Sequence, residues 1–391
     1  MVGRRRSGWG LVGRIVVGGI AACAISGGGD AGSAEPAGNP RHVVVYREPG
    51  RFAGWPANHG IWIWGDEILV GFSRGYYKDH GESHHIDREK PEEFVLARSK
   101  DGGETWAMEL PQPPGALVGT RGMRHGLVPP GIPEEHPTDL TTPMDFSAPG
   151  FALTLRMESP DAGVSRFYYS TDRGHAWRGP YRFPLLGQKG VMARTDYLAT
   201  GSSDCLVGLT AEKSGGKEGR PFCARTSDGG LTWSFLSYIG PEPGGYAIMP
   251  STRRLSPTEL ITTIRVLDPP RSAIDAYASL DDGRSWSRIS TPEPDAGEGN
   301  PPSLSRLLDG RLCLIYGERK APFSILARLS SDHGRTWTGP IVLRDDAGGR
   351  DIGYVRSVVR PDGKVVAVYY YHDRSGPTRY LAGTIWSPAK P

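Results

Sequence analysis

Apolar residues along the chain fall into short runs, and turns that contain Gly, Pro or Asp separate one run from the next. Each run is about five to eight residues long, which is the length of a β-strand. No segment shows a sustained helical period. The 54 Gly and 34 Pro residues suit a chain with many tight turns. The pattern therefore predicts an all-β protein made of short strands.

One short motif follows several of these runs and occurs five times. Its template is Ser/Thr-x-Asp-x-Gly-x-x-Trp, and the copies occupy residues 99–106, 170–177, 226–233, 279–286 and 330–337. Successive motif tryptophans are 71, 56, 53 and 51 residues apart. Such a period indicates a repeat architecture, and four short strands with their turns need about 40–50 residues. Each repeat thus has the length of one β-propeller blade.

The chemistry of the motif explains its composition. The Asp carboxylate can accept hydrogen bonds from N–H groups in its own turn, and Gly tolerates positive φ. The Trp ring supplies apolar surface between neighbouring sheets. The motif resembles the Asp-box, or BNR repeat, of the sialidase superfamily, and the resemblance covers nearly all of residues 41–391. In that family the box lies at the blade periphery, so it indicates the fold and leaves the chemistry open.

Five blades contain a box, and a sixth unit follows without one. Its strands are predicted at residues 355–360, 364–371 and 379–386, which leaves no room for a fourth strand. Residues 42–46 form a strand without a partner at the other end of the chain. We therefore predict an all-β, six-bladed propeller over residues 41–391, with strand 42–46 closing the last blade. Pairing there would remove two open sheet edges.

Residues 1–34 have the features of an export signal. Arg occurs at positions 4, 5, 6 and 14, and the apolar run 15–22 is too short to span a bilayer. Residues 20–23 resemble a bacterial lipobox, in which Cys23 would be lipidated and would tether the protein to a membrane. Cleavage after Ala34 is the alternative. We expect a periplasmic, cell-surface or secreted protein.

The rest of the chain is electrically balanced. The whole chain has 46 basic and 43 acidic residues, and residues 1–34 hold four Arg and one Asp, which leaves 42 of each sign. This balance does not suggest nucleic-acid binding. Cys205, Cys223 and Cys313 lack zinc-site spacing, and we predict buried free thiols, with a Cys205–Cys223 disulfide as the alternative. We predict no cofactor; a metal in the loop around His84 is less favoured than a solvated loop.

Propeller geometry indicates where ligand-binding groups should lie. The innermost strand of each blade lines the central channel, and its start shares one channel mouth with the end of the second strand. Candidates at the inner-strand starts are His59, Arg194, Asp196, Tyr197, Asn300, Asp351, Tyr354 and Arg356. Candidates at the second-strand ends are Glu212, Arg265 and Arg319. Converging guanidinium groups bind a carboxylate or sulfate, so we expect an anionic-ligand site.

The resemblance to sialidases implies roles for some candidates. Sialidases cleave a terminal acidic sugar with an arginine triad on its carboxylate, a Tyr nucleophile activated by Glu, and an Asp acid/base. Residues 353–357, Gly-Tyr-Val-Arg-Ser, resemble the stretch around that Tyr, which makes Tyr354 the expected nucleophile. Arg265 resembles the Arg that ends the second strand before the fourth box.

The other candidates receive supporting roles. We expect Arg194, Arg319 and Arg356 to contact the anion, with Tyr197 and Asn300 as further binding residues. Acid–base assistance would come from Asp196, Glu212 or Asp351.

Part of the family pattern is missing. The first triad Arg normally lies in a Phe/Tyr-Arg-Ile-Pro motif, and the matching place has Gly54 where Arg would stand. Arg51 is close in sequence but would project differently. For the acid/base Asp, only Asp87 offers a counterpart, and its alignment is loose.

Three functions are compatible with these features. The first is an exported, sialidase-like exo-glycosidase that acts on a terminal acidic sugar of a glycoconjugate. The second is a non-catalytic glycan-binding propeller. The third is a hydrolase or lyase of uronic-acid glycans that uses His59, whose ordinary pKa of about 6.5 suits acid–base chemistry. The missing Arg favours the second and third, whereas Tyr354 and residues 194–197 favour the first.

Overall fold

The structure, a computed structural model, describes residues 35–36, 40–81, 83–120, 122–160 and 163–390. The predicted export signal, Cys23 and the alternative cleavage point at Ala34 lie outside these residues. In the described part of the chain, no helix is long and apolar enough to cross a membrane.

Six sheets form the six blades of a β-propeller, as predicted. Apart from the two N-terminal strands, neighbouring strands of a blade are antiparallel and follow the chain order from the channel outwards. The first three blades comprise Arg51–Gly54, Ile61–Trp64, Glu67–Tyr76, Glu93–Ser99 and Ala107–Glu109; then Ala152–Met157, Ser165–Ser170 and Arg178–Phe183; then Val191–Met192, Tyr197–Ala199, Cys205–Glu212, Glu218–Thr226 and Ser234–Tyr238.

In the last three blades one continuous strand forms the innermost position. They comprise Tyr246–Arg254, Leu260–Asp268, Arg271–Ser279 and Ser287–Glu293; then Ser303–Arg306, Leu312–Glu318, Ser324–Ser330 and Ile341–Arg344; then Gly353–Val359, Val365–Tyr371 and Tyr380–Trp386. The short strand Glu35–Pro36 adds to the fifth blade in parallel, beside Ile341–Arg344.

The ring closes through the N-terminal strand. Arg41–Tyr46 pairs antiparallel with Tyr380–Trp386, and Val43 lies opposite Gly383. A Cβ at Gly383 would lie 2.8 Å from Cγ2 of Val43, so this glycine allows the two strands to approach. The first and last parts of the propeller are thereby joined in one sheet, which confirms the predicted closure.

All five boxes adopt the same turn. In the first, Ser99 donates to Oδ1 of Asp101 at 2.8 Å, and Asp101 accepts the N–H of Thr105 at 2.9 Å. The fifth-place glycine has positive φ in every box, for example 93° at Gly103. The box tryptophan contacts the preceding blade, as when the ring of Trp233 lies 5.1 Å from that of Phe183. The boxes therefore join neighbouring blades.

The hydrophobic core is divided among the gaps between blades. Six of the buried clusters each combine residues of two neighbouring sheets, so that every gap, including the one between the last blade and the first, has its own cluster. The free thiols of Cys205, Cys223 and Cys313 lie buried in these clusters. Burial raises the pKa of the Cys313 thiol to about 12, so it stays protonated.

Two blades depart from the regular pattern. In the first, the short helix Pro56–His59 interrupts the innermost strand, and Trp55 before it is left-handed with φ of 58°. In the second, the described sheet has only three strands. The sequence predicted neither feature. The helix packs beside the candidate site, since Ala57 shares a buried cluster with Tyr246 and Tyr354.

Candidate functional site

Tyr354 lies at the channel mouth in a backbone conformation that is uncommon for a residue with a side chain. Its φ is 50°, and its N–H donates to Oδ1 of Asn300 at 2.8 Å. The Asn300 amide also donates to the carbonyl of Ile352 at 3.0 Å. Fully buried Asn300 therefore fixes the start of strand Gly353–Val359 from the neighbouring blade. Such strained residues cluster at functional sites.

Two buried arginines lie against tyrosine rings of the mouth, Arg319 against Tyr354 and Arg265 against Tyr246. The Arg319 guanidinium carbon is 5.5 Å from the centre of the Tyr354 ring, and Arg319 donates to the Tyr370 hydroxyl at 2.6 Å. Arg265 lies 5.4 Å from the centre of the Tyr246 ring and donates to the carbonyl of Glu298 at 3.1 Å. Among the described residues, no carboxylate lies within salt-bridge distance of Arg265 or Arg319. Their charges are available to an anion.

The third arginine of the mouth already has a carboxylate partner. Arg194 forms a bidentate ion pair with Glu218, one of whose bonds measures 3.0 Å. Burial alone would lower the pKa of Arg194, but the Glu218 carboxylate outweighs it and raises that pKa. Tyr354 and Tyr246 are near enough to contribute in the same direction. The ion pair with Arg194 therefore holds the Glu218 carboxylate near Tyr354 and Tyr246.

Asp351 organises the wall behind Tyr354. Its carboxylate contacts Nδ1 of His84 at 2.7 Å, accepts the Tyr370 hydroxyl at 2.7 Å and accepts Nε of Arg379 at 3.2 Å. Burial acts to raise the pKa of Asp351, but the hydrogen bond with His84 and the nearby positive charges hold it far below its usual range. Asp351 is thus an ionised carboxylate that positions its neighbours.

Aromatic side chains form one side of the mouth. The ring centres of Trp55 and His125 are 4.4 Å apart, and those of His84 and Tyr354 are 6.4 Å apart. Burial lowers the pKa of His125 to about 4, so this imidazole is neutral near pH 7. His125 belongs to the long connection between the first two blades, whose Met123 sulfur lies 4.0 Å from Nη2 of Arg194.

His59 lies beneath this mouth and is engaged on both ring nitrogens. Arg156 donates to Nδ1 at 2.9 Å, so Nε2 carries the proton and donates to Ser73 at 3.2 Å. Burial, together with neighbouring arginines, holds the pKa of His59 well below its usual value. The Thr195 hydroxyl donates to the His59 carbonyl. These contacts fit a neutral structural imidazole.

Three further candidates line a separate cavity inside the channel. Asp196, Tyr197 and Arg356 face a space of about 320 Å³ whose lining does not include Tyr354. Asp196 accepts the Thr252 hydroxyl at 2.7 Å. Glu212 ends its strand beside Gly190, and no hydrogen bond to its carboxylate is formed by the described residues. The eleven candidates therefore do not form one site.

The missing triad arginine has no substitute at its own position. A Cβ at Gly54 would lie 2.7 Å from the Phe52 ring, so a larger side chain would not fit there without a shift. Arg51 turns to Glu93 at 3.2 Å and stacks on the Tyr76 ring. Asp87 accepts the backbone N–H of Glu89 in its own turn.

Five residues of the mouth were not predicted as part of it: Trp55, His84, His125, Glu218 and Tyr246. Tyr246 could have been found, because it opens the innermost strand of the fourth blade. Glu218 starts a third strand, a position that was not considered. His84 was considered only as part of a loop that could hold a metal, and nothing in the pattern pointed to Trp55 or His125. Among the described residues, no group of three or more His, Cys, Asp or Glu could hold a metal ion.

Fold and site define a repeat propeller with a basic, aromatic channel mouth. Residues 135–367 match the profile of the BNR repeat-like domain family, so the chain belongs to this family. No curated protein matches the chain.

Solved structures show the same fold. A protein of unknown function from Dyadobacter fermentans superimposes with a TM-score of 0.66 at 22% identity, covering 88% of this chain and 98% of that one. The NanB sialidase of Streptococcus pneumoniae gives 0.58 at 12% identity, covering 88% and 70%. The α-L-arabinofuranosidase Arb93A of Fusarium graminearum gives 0.53 at 14% identity, covering 88% and 97%.

Proposed function

We propose that the protein is a sialidase-like exo-glycosidase that binds a terminal acidic sugar of a glycan at the channel mouth. The observation that carries this proposal is a pair of buried arginines, Arg319 beside Tyr354 and Arg265 beside Tyr246. Neither has a carboxylate within salt-bridge distance among the described residues. Asp351 compensates part of the Arg319 charge, to which it is linked by the Tyr370 hydroxyl. Burying a charge without a direct partner is costly, and an anionic ligand would offset that cost. That two neighbours in fold are a sialidase and an arabinofuranosidase supports a glycan as the bearer of the anion.

In this proposal Tyr354 is the nucleophile and the arginines orient the sugar carboxylate. Asn300 fixes the backbone of Tyr354, and Arg319 lies next to its ring. A tyrosine nucleophile departs from the usual pair of carboxylates in glycosidases and needs a base to take its proton. Glu218, held by Arg194, is the candidate base.

A second candidate function is binding without hydrolysis. One observation favours it: no described carboxylate is hydrogen-bonded to the Tyr354 hydroxyl, and Glu218 is occupied by Arg194. The geometry lends less support to uronic-acid chemistry at His59, because both of its ring nitrogens are engaged inside the protein.

Turnover and binding measurements separate the two candidates. We would assay the purified protein on sialosides, uronides and neutral arabinofuranosides. The change Tyr354→Phe should abolish turnover of the acidic substrate while leaving its affinity nearly intact. Tyr246→Phe, a tyrosine at the same mouth that is given no chemical role, is the matched control and should keep turnover.

Each result of these assays supports one candidate function or rejects it. Saturable binding of an acidic glycan without turnover would select the non-catalytic function. Unchanged turnover in Tyr354→Phe would reject the nucleophile assignment. Arg265→Gln should weaken acidic ligands about tenfold or more, as expected for losing a charged hydrogen bond. If the wild-type protein neither binds nor cleaves any acidic glycan, the proposed function is wrong.

We also propose that the protein is exported, with residues 1–34 as the signal and Cys23 as the preferred lipidation point. The basic start and the short apolar run support this. Labelling cells with a radioactive fatty acid should mark the wild-type protein and not Cys23→Ser. An unlabelled mature protein that begins at Glu35 would reject lipidation and leave simple secretion.

A further inference from the structure

The cavity inside the channel is separate from the mouth and has its own charged groups. Its volume is about 320 Å³, and its lining includes Arg253, Arg356 and Asp196. Trp64, Leu198 and Val358 also line it, and these residues lie at or near the ends of their innermost strands. The cavity therefore lies toward the end of the channel opposite to the Tyr354 mouth.

Hydrogen bonds within the protein use only part of the two guanidinium groups. Arg356 donates from Nη2 to the carbonyls of Ala57 and Thr195 at 2.7 and 2.6 Å, while its Nε is buried without a partner. Arg253 donates from Nη1 to the Thr252 carbonyl at 2.6 Å. Among the described residues, neither arginine has a carboxylate within salt-bridge distance. Both groups retain donors that no acceptor in the described part of the chain uses.

Asp196 compensates only one of the two charges. Its carboxylate accepts the N–H of Thr252 at 3.1 Å and the hydroxyl of the same residue at 2.7 Å. Burial raises the pKa of the Asp196 carboxyl, while the charges of Arg356 and Arg253 and the hydrogen bonds from Thr252 oppose that rise. With Asp196 ionised, the two arginines leave one net positive charge in the cavity. Burial, and secondarily the charges of Arg253 and Arg194, lower the pKa of Arg356 to about 10, while Asp196 opposes this effect. One further negative charge would make the cavity electrically neutral.

We propose that this cavity is a second ligand site, which binds a small organic monoanion by its carboxylate between Arg253 and Arg356. One negative charge neutralises the site, and a planar carboxylate matches the donors of a guanidinium. The volume is at the lower end of about 300–1,000 Å³ that small-molecule sites occupy. A body no larger than a monosaccharide fits, whereas a bare halide would leave most of the space to water. The site is independent of the function proposed for the mouth.

The test uses two sugars that differ in charge, D-glucuronate and D-glucose, and the full-length protein. Arg265→Gln serves as the background because it weakens the mouth site and leaves the cavity unchanged. Calorimetry on this variant should detect one saturable site for glucuronate and none for glucose. Adding Arg253→Gln should weaken glucuronate about tenfold or more, the loss expected for a charge-assisted hydrogen bond.

Arg254→Gln in the same background is the matched control. Arg254 is the next residue of the same strand, but it pairs with Asp282 at 2.7 Å outside the cavity, so glucuronate affinity should not change. Equal affinity in the Arg253 and Arg254 variants would overturn the proposal, as would the absence of saturable binding in the background variant. If Arg253→Gln does not fold, wild-type crystals soaked in glucuronate decide: density between Arg253 and Arg356 supports the site, and density only at the mouth overturns it.

Discussion

Replacing Gly334 by Ala tests how the boxes hold neighbouring blades together. Gly334 is the fifth residue of the last box and has φ of 83°. A Cβ there would lie 2.2 Å from Cδ1 of Ile261, a fully buried residue of the preceding blade. Trp337 and Ile289 close the remaining space at 3.4 and 3.5 Å. The added methyl group must therefore displace a packed core side chain.

The expected cost has two parts, and Gly310 separates them. Gly310 has φ of 89°, but a Cβ there would meet no atom within 4 Å. Gly310→Ala should therefore cost only the backbone penalty, about 1–2 kcal/mol, for an L-residue in this conformation. Gly334→Ala should add the cost of overpacking, about 1–3 kcal/mol. We expect a total of about 2–5 kcal/mol for Gly334→Ala, with the excess over Gly310→Ala measuring the contact between blades.

Ile261→Val removes the atom that the new methyl group would strike. Alone it should cost about 0.5–1.5 kcal/mol, the usual loss for one buried methyl group. Combined with Gly334→Ala it should cost less than the sum, because Cδ1 is gone. Urea unfolding followed by tryptophan fluorescence measures all four proteins. Equal destabilisation by Gly334→Ala and Gly310→Ala, or strict additivity with Ile261→Val, would refute this view of the box.

Three further predictions follow from individual contacts. Trp233→Ala should destabilise the protein by about 3–5 kcal/mol in a denaturant melt, and a loss below about 1 kcal/mol would mean that the ring does not join the second and third blades. Hydrogen bonds from the hydroxyls of its own box lower the pKa of Asp281 from 3.8 to about 2. The stability that Asp281 contributes is therefore complete above about pH 5 and is lost as the pH falls toward 2. Asp281→Asn should flatten the stability profile in that window, by about 1 kcal/mol or less because solvent reaches the group and screens it. Asn300→Ala leaves the N–H of Tyr354 without its acceptor, so it should lower turnover of an acidic glycoside more than it lowers the affinity for that ligand. Unchanged turnover would mean that the backbone conformation of Tyr354 has no catalytic role.

The fold was predictable because the signals that specify it are local. Each box carries its own turn chemistry within eight residues, as the hydrogen bonds of Ser99 and Asp101 demonstrate. Closure by residues 42–46 could be deduced by counting strands, since a sheet edge without a partner is unfavourable. The helix Pro56–His59 and the three-stranded second blade escaped prediction, because they depend on what neighbouring blades place beside them.

The site was only partly predictable. Position along a blade identified Arg265, Arg319 and Tyr354, because strand starts and ends repeat at the same height in every blade. It could not distinguish side chains that reach the mouth from those that face the interior of the channel. His59 and Asp196 were predicted at the start of an innermost strand, as Tyr354 was. In the structure, however, each is hydrogen-bonded to a residue of another blade.

By itself, the sequence determined the blade, the number of blades and the strand that closes the ring, since these follow from short-range turns and alternating strands. Only the tertiary structure decided which charges remain without partners. Arg194 is neutralised by Glu218 of its own blade, whereas Arg265 and Arg319 meet no carboxylate among the described residues. That difference depends on side chains brought together from distant parts of the chain, and pairwise electrostatic contacts of this kind leave no periodic trace in the sequence.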